Sequence, residues 1–234
     1  KFTLRDTFLK KHTFMNIVMD LEDTWNHIIP VPAIIKPKPM WTGKQVVSIL
    51  LPNIDMEGKS KEFKSFENNS NYISKNDSYV KILDGQLICG ILDKNTIGSE
   101  AKSIVHIIFN DMGFNKCTDF INKIQHMSNR YLMLRSASAG INDLALKPET
   151  RDKITNKVDE LINEANSKTN ESEIVSILSK ALGETTSIIT KNWGKENNFY
   201  QMYTAGSKGK DKNIGQMMGA IGQNTLSAER MRSS

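Results

Sequence analysis

The chain has 234 residues, of which 38% are hydrophobic and 24% are charged, and its formal net charge is +5. This composition is typical of a folded, water-soluble chain with one large domain or two small ones. No apolar run is long enough for a membrane span, and no signal peptide is visible. The distant cysteines Cys89 and Cys117 exclude zinc-finger spacing and favour a reducing compartment. The mild positive charge permits an anionic partner without requiring one. The chain begins with Lys1 rather than Met, so we expect a segment of a longer protein.

The first 52 residues contain a proline-rich segment at 28–41, here called the proline ladder, between two apolar segments. The segment before the ladder has helix-like spacing at Phe8, Met15, Val18 and Met19. The ladder, IIPVPAIIKPKPMW at 28–41, has four prolines that fix φ and remove backbone donors, so it predicts an extended connector. Its alternate apolar side chains can be buried in such a connector, namely Val31, Ile34 and Ile35. The next run, KQVVSILLP at 44–52, predicts a short strand that Pro52 closes.

A β-hairpin is predicted in the middle of the chain. Residues 53–77 are polar and indicate a long surface loop. The run SYVKILDGQLICGIL follows, with Asp84-Gly85 between two apolar segments. A type I′ turn requires positive φ at both central residues, and Asp-Gly is among the preferred pairs. We therefore expect a two-residue hairpin turn at this point.

Two helices are predicted after the hairpin. Periodicity alone does not distinguish a strand from a helix in SIVHIIFNDMG at 103–113. Ser99, ahead of this run, is a candidate N-cap and Gly113 a candidate residue just past the helix end, which favours a short helix. Residues 115–136 predict a second helix with a single apolar stripe. That stripe consists of Phe120, Ile121, Ile124, Met127, Tyr131, Leu132 and Leu134.

A helical hairpin is predicted from Pro148 onwards. Proline suits the first position of a helix, and apolar residues then recur at helical spacing at Ile154, Val158, Leu161, Ile162 and Ala165. The polar turn NSKTNES at 166–172 precedes a second amphipathic helix. Its apolar face consists of Ile174, Ile177, Leu178, Leu182, Ile188 and Ile189. Two such helices joined by a short turn predict an antiparallel pair.

Patterns that indicate catalysis are scarce. The histidines at 12, 27, 106 and 126 are scattered, and no GxSxG, Walker A, EF-hand loop or DxD-type carboxylate cluster is present. Asp84 and Asp93 have the positions of turn residues. The loop Gly206-Ser207-Lys208-Gly209 is glycine-rich but lacks P-loop spacing, so it could be a phosphate contact or a plain turn. The residues alone therefore predict an α+β chain that is not a self-contained enzyme.

Several long motifs carry a family resemblance. They include IIPVPAIIKPKPMWTGKQVVSILLP, DGQLICGILDKNTIGS, FINKIQHMSNRYLMLRSASAGIND and QMYTAGSKGKDKNIGQMMGAIGQN. In this order they resemble the largest subunit of the multisubunit DNA-directed RNA polymerases, particularly the polymerase II type. The resemblance covers most of the chain.

The resemblance implies two domains with an α+β fold. Residues 1–143 would be the later part of a mixed pore domain with short strands and a β-hairpin. Residues 144–234 would be a mainly α funnel domain with an antiparallel helical hairpin. In this family, these domains line the secondary channel that admits nucleoside triphosphates and receives the RNA 3′ end during backtracking.

The resemblance also implies which residues bind substrate. Lys208 would meet the triphosphate of the incoming nucleotide, with Ser207 and Gln223 as further substrate-binding residues. No catalytic residue and no metal ligand is expected in this segment, since the Mg²⁺ of the full enzyme would be bound outside this chain. Lys210 and Lys212 are either additional contacts or solvated charges.

Expected partners are the second-largest and small polymerase subunits, nucleoside triphosphates, the RNA 3′ end, a transcript-cleavage factor, and DNA through the full complex. No membrane partner is expected. The location would be the nucleus in a eukaryotic cell, or the cytoplasm or virion for a large DNA virus. The hairpin at 148–193 is shorter than in many family members, and Gln223-Asn224 replaces a common pair of glutamines. These departures leave hairpin-tip partners and toxin sensitivity open.

Two alternatives remain at this stage. The chain could be a stand-alone helical-hairpin interaction module, which would fold as a monomer without polymerase partners. It could also be a stand-alone nucleotide-binding protein that uses its Gly/Lys loop. Such a protein would bind nucleotides in isolation, although one lysine and a few amides leave most of a triphosphate's charge unpaired.

Overall fold

A computed structural model describes residues 1–21, 28–66, 73–136, 138–194, 196–226 and 229–230 of the chain. The chain divides into two compact units. One comprises Lys1–Ala137 and Thr204–Gly206, and the other comprises Ser138–Tyr203 and Ser207–Ser234. The first unit mixes short antiparallel strands with helices and the second is mainly helical, so the predicted α+β class is confirmed.

Within its described residues, the first unit contains two small antiparallel sheets and four helices. Its elements are β1 (Phe8–Lys10), α1 (Lys11–Val18), β2 (Met40–Thr42), α2 (Gly43–Leu50), β3 (Met56–Lys59), β4 (Tyr79–Leu83), β5 (Gln86–Cys89), α3 (Lys94–Ile97) and α4 (Ile104–Arg135). Strand β1 pairs with β2, and β3, β4 and β5 form a three-stranded sheet in that order. Single 3₁₀ turns lie at Met19–Leu21 and Lys75–Asp77. These elements enclose one apolar core, whose largest fully buried side chains include Phe14, Leu9, Ile82 and Ile108.

The predicted hairpin turn between β4 and β5 is confirmed. Asp84 and Gly85 have φ values of 48° and 71°, as a type I′ turn requires. Gly85 is also constrained by space, because a Cβ at this position would lie 2.5 Å from the carbonyl oxygen of Pro52. A residue without a side chain therefore satisfies both the turn and its packing.

The strand predicted at 44–52 is wrong, because this run forms helix α2. Thr42 accepts a hydrogen bond from the Gln45 backbone N–H (3.3 Å), and the Gln45 side-chain oxygen accepts one from the Thr42 N–H (3.0 Å). This capping box satisfies two donors at the start of the helix. The buried residues Val46, Val47 and Leu50 then fall at helical spacing. The β-branched pair made the run look like a strand, but the cap and core burial favour the helix.

The N-terminal segment and the proline ladder also differ from expectation. Phe8 begins strand β1, and the helix starts only at Lys11. The ladder is not extended throughout, because Ile34 and Met40 form an antiparallel bridge and the chain turns back between them. Val31 and Ile35 are 75% and 66% exposed, so burial at these two positions is not found, whereas Ile34 is half-buried. Hydrogen bonds hold the connector instead: Trp41 Nε1 donates to the Pro30 carbonyl (2.8 Å), and Gln45 Nε2 donates to the Val31 carbonyl (2.7 Å).

The loop predicted at 53–77 is shorter than expected. Strand β3 lies inside this range and pairs with β4, and a 3₁₀ turn occupies Lys75–Asp77 at the end of the range. An isolated bridge joins Phe66 to Ser74. Part of the predicted loop, at 67–72, lies outside the described residues. The sequence did not predict β3, because this polar segment has no alternating apolar pattern. Its register is set by pairing with β4.

Helix α4 joins the two helices that were predicted around Gly113. Its N-cap is Ser103 and not Ser99, since the Ser103 hydroxyl accepts a hydrogen bond from the His106 backbone N–H (3.3 Å). Gly113 has φ 82°, so the predicted break is present as a kink within the long helix. Beyond the kink the buried stripe is narrower than predicted. Phe120, Met127 and Tyr131 are buried and Ile124 is partly buried, whereas Ile121, Leu132 and Leu134 are exposed.

The second unit is built on the predicted helical hairpin. Its elements are α5 (Ile141–Leu144), α6 (Pro148–Asn166), α7 (Glu171–Asn192), α8 (Asn198–Thr204), α9 (Asp211–Met218) and the paired strands β6 (Thr225–Leu226) and β7 (Glu229–Arg230). Pro148 occupies the first turn of α6, as predicted. One apolar cluster lies between α6 and α7, around Leu161 and Ile177. A second brings α9 onto the hairpin through Ile154, Ile189 and Ile214.

Candidate functional site

The glycine- and lysine-bearing loop connects α8 to α9. Gly206 and Gly209 have φ values of 72° and 88°, a left-handed conformation that favours glycine. Lys208 lies between them on the chain. Ala205 accepts a backbone hydrogen bond from Lys94 (3.1 Å) within the first unit. The two glycines therefore allow the backbone to turn tightly on both sides of Ser207 and Lys208.

Hydrogen bonds hold the loop on both sides of Lys208. The backbone N–H and the hydroxyl of Ser207 both donate to the Met202 carbonyl, at 3.2 and 3.0 Å. The Lys210 backbone N–H donates to the side-chain oxygen of Asn213 (3.0 Å), which caps α9. A hydroxyl has one proton to donate. Ser207 could therefore donate to a ligand only by giving up its bond to Met202.

The lysine side chains of the loop are exposed. Lys208, Lys210 and Lys212 form no ion pair with any residue in the described part of the chain. Asp211, the first residue of α9, lies among them in sequence and accepts a hydrogen bond from the Tyr203 hydroxyl (2.7 Å). The loop therefore presents ammonium groups that are free to attract an anion.

Helix α9 lies unusually close to α7. A Cβ on Gly215 would overlap Thr186 Oγ1 and would lie 2.7 Å from Leu182 Cδ1. Ile214 and Met218 on the same helix are buried. The described partner of the glycine face of α9 is therefore α7. Helix α9 ends at Met218, and residues 219–223 are not helical.

Gln223 is half-buried beyond α9. Its Nε2 donates to the Asn224 carbonyl (2.7 Å), and the Nε2 of Gln216 makes a long bond to the Ile221 carbonyl (3.5 Å). No hydrogen bond joins Gln223 to Ser207 or Lys208 within the described residues. The structure therefore brings Ser207 and Lys208 together on one loop and leaves Gln223 on a separate segment.

Other parts of the described chain show little that indicates catalysis. No group of three or more His, Cys, Asp or Glu side chains among the described residues could hold a metal ion. His12, His106 and His126 are exposed, and His27 lies outside the described residues. Asp93 accepts from the Thr96 N–H (3.0 Å) and is therefore the N-cap of α3 and not the turn residue that was predicted. None of the helices described has the length and apolarity to cross a membrane.

Sequence patterns did not reveal the residues that hold the loop. Asn213 lies three residues after Lys210, the spacing of a helix cap, and this signal could have been found. Asp211 is an acidic residue in the first turn of a helix, where the helix dipole favours it. Its hydrogen bond with Tyr203 depends on the path of the loop between the two residues, so no local sequence pattern predicts this bond.

Comparison with known proteins agrees with this arrangement. Residues 1–144 match the family described as RNA polymerase Rpb1, domain 3, and residues 150–234 match RNA polymerase Rpb1, domain 4. The chain is 31% identical over 250 aligned positions to DNA-directed RNA polymerase II subunits RPB1-A and RPB1-B of Trypanosoma brucei brucei. The alignment covers 99% of this chain but only 14% of each relative. The chain therefore belongs to the family of RNA polymerase largest subunits, of which it spans domains 3 and 4.

Proposed function

We propose that this chain lines the channel through which nucleoside triphosphates reach the active centre of a DNA-directed RNA polymerase, and through which the RNA 3′ end leaves during backtracking. The observation that carries this proposal is the exposed Lys208, held between two left-handed glycines without an ion pair among the described residues. Close backbone turns and a flexible ammonium suit a polyphosphate, which carries several negative charges and no single fixed geometry.

The loop supplies only part of a triphosphate site. One ammonium leaves most of the phosphate charge unpaired, so other parts of the enzyme must complete the site. Phosphoryl transfer also needs metal held by carboxylates. We propose that the Mg²⁺ is bound outside this chain, and that the isolated segment does not synthesise RNA.

Membership of the largest-subunit family supports further proposals about partners. The chain would assemble with the second-largest and small polymerase subunits and would contact DNA only through the full complex. A transcript-cleavage factor would enter the same channel. The polymerase II relatives support a nuclear location, and a cytoplasmic or virion location would apply to a viral enzyme.

The proposal is tested by replacing Lys208 in the assembled polymerase. Lys208→Ala should raise the KM for nucleotides by about 10-fold or more, because a hydrogen bond to a charged group contributes about 1.5–3 kcal/mol. Lys208→Arg keeps the charge and should recover most of the affinity. The effect should shrink at high salt, because salt screens charges in solvent.

A matched control removes a lysine charge elsewhere. Lys168 follows the end of α6, in the turn of the helical hairpin, and is also exposed. Lys168→Ala changes net charge by the same amount and should leave the KM unaltered. Identical kinetics for Lys208→Ala and the parent enzyme across a nucleotide titration would contradict the proposal.

A further inference from the structure

A side-chain hydrogen bond joins the two helices that flank the lysine loop. The Tyr203 hydroxyl, near the end of α8, donates to Oδ1 of Asp211 at the start of α9, at 2.7 Å. Residues 204–210 lie between them, so the bond closes the base of the loop that carries Lys208. We call this hydrogen bond between Tyr203 and Asp211 the bridge.

Both ends of this bridge are anchored in the second unit. The Tyr203 ring packs in an apolar cluster and lies 6.2 Å from the Trp193 ring, measured between centroids. Asp211 begins a helix that is fixed by the buried Ile214 and by the close approach of Gly215 to α7. Because packing already orders both residues, forming this hydrogen bond costs little further conformational entropy. The bond therefore fixes the two ends of the loop relative to each other.

Charge makes the position of Asp211 informative. Its carboxylate lies among the loop lysines in sequence, where an anionic ligand would be repelled by it. On electrostatic grounds alone, removal of this charge should improve nucleotide binding. If the carboxylate instead holds the loop in shape, its removal should weaken binding. The two roles therefore predict changes of opposite sign.

We infer that Tyr203 and Asp211 are positioning residues that hold the Lys208 loop in the conformation that receives the triphosphate. The inference rests on the proposed function of Lys208. When the bridge is broken, only a fraction of the loops has the competent conformation, and the KM rises by the inverse of that fraction. The chemical step occurs outside this chain, so kcat should change little.

The first test uses hydroxyl removal in the assembled polymerase. Tyr203→Phe deletes the donor, keeps the ring against Trp193 and leaves all charges in place. It should raise the nucleotide KM by about 2–10-fold, the factor for one ordinary protein hydrogen bond lost at an exposed position, with kcat nearly unchanged. Tyr200→Phe removes a phenolic hydroxyl from the same helix and keeps the Tyr200 ring contact with Trp193. This control should leave the KM unchanged.

The second test uses Asp211. Asp211→Ala removes charge and acceptor together and should raise the KM, whereas a purely electrostatic role would lower it. Asp211→Asn keeps a side-chain oxygen that can accept from Tyr203 and should recover much of the loss. A lower KM in Asp211→Ala would overturn the inference.

The third test reports on the loop itself. Hydrogen–deuterium exchange of the peptide spanning 204–210, measured in the assembled polymerase, should accelerate in Tyr203→Phe and stay at the parent rate in Tyr200→Phe. The Tyr203→Phe effect on KM should also disappear in a Lys208→Ala background, because the positioned group is then absent.

These outcomes separate the two proposals. If Lys208→Ala raises the KM but Tyr203→Phe changes neither the KM nor the exchange rate, only the inference is overturned. If Lys208→Ala leaves the KM unchanged, the proposed function is wrong. The inference is then wrong as well, because it rests on that function. Equal increases of the KM in Tyr203→Phe and Tyr200→Phe would also overturn the inference. Such a result would mean that loss of any tyrosine hydroxyl from α8 raises the KM.

Discussion

The carboxylate of Asp77 accepts a hydrogen bond from the backbone N–H of Gly90 through Oδ1, at 2.9 Å. Its Oδ2 pairs with the Lys44 ammonium, and the Asp77 side chain is only 7% exposed. One buried carboxylate therefore links the residues just before β4, the end of β5 and the start of α2. Buried charges of this kind hold neighbouring elements together only while every partner is present.

Asp77→Ala should destabilise the first unit strongly. The substitution leaves the Lys44 ammonium, itself only 16% exposed, without its partner. Removing one partner of a buried pair costs about 3–5 kcal/mol of unfolding free energy. The measurement is urea denaturation of the purified chain. Asp119→Ala breaks the surface pair with Lys123, where the Asp119 side chain is 48% exposed, and should cost less than about 1 kcal/mol. Equal costs at the two sites would contradict the prediction.

Thr42→Ala should weaken the start of α2. It removes the hydroxyl that accepts the Gln45 backbone N–H and leaves one side of the capping box empty. The expected loss is about 1 kcal/mol of unfolding free energy, the usual cost of deleting an N-cap. Thr42→Ser keeps the acceptor and should stay close to the parent value. A loss in Thr42→Ser as large as that in Thr42→Ala would show that the methyl group, and not the cap, matters.

Gly215→Ala and Gly183→Ala should have opposite effects on stability. At Gly215 the added methyl would overlap Thr186 and lie 2.7 Å from Leu182, so α9 must move away from α7. Overpacking of this kind costs about 1–3 kcal/mol. At Gly183, in the interior of α7, a Cβ would meet no described heavy atom within 4 Å. Alanine there should stabilise by about 0.5–1 kcal/mol. Denaturant unfolding of both variants checks the pair, and a stabilising Gly215→Ala would refute the close packing.

Tyr79 should titrate at unusually high pH. Its hydroxyl donates to Glu57 Oε2 (2.6 Å), and this bond, with burial and the Glu57 charge, raises the Tyr79 pKa from 10.0 to about 12. Because the folded pKa is raised, the stabilisation is complete below pH 10 and is lost as pH rises from 10 towards 12. Phenolate absorbance during alkaline titration, together with stability at each pH, measures both effects.

Glu57→Gln supplies the control for this titration. It removes the charge that opposes ionisation of Tyr79, so the Tyr79 pKa should move back towards its ordinary value. In the parent chain, the Lys81 ammonium and then the Tyr79 hydroxyl lower the Glu57 pKa. The associated stability is present above the ordinary glutamate pKa and is lost as pH falls through the lowered value. A phenolate midpoint near 12 in Glu57→Gln would show that burial, and not this carboxylate, sets the Tyr79 pKa.

Local signals identified several elements correctly. The Asp84-Gly85 turn, the start of α6 at Pro148 and the paired helices α6 and α7 follow from neighbouring residues, because turn φ values, caps and helical periodicity operate over a few positions. The long motifs by themselves also indicated the polymerase family. For the loop, the glycines around Lys208 were visible as a pattern, but the residues that hold the loop were not.

Contacts between distant residues explain what sequence patterns could not. Residues 44–50 form a helix because their apolar side chains fit the core at helical spacing, although their β-branched composition resembles a strand. Strand β3 exists because β4 supplies its hydrogen bonds, and Asp77 is buried because Lys44 and Gly90 reach it from other elements. The bond between Tyr203 and Asp211 likewise requires the loop to return on itself. Propensity and periodicity act along the chain and specify turns, caps and amphipathic helices. Partners, burial and register depend on folding, since they involve residues that meet only in three dimensions.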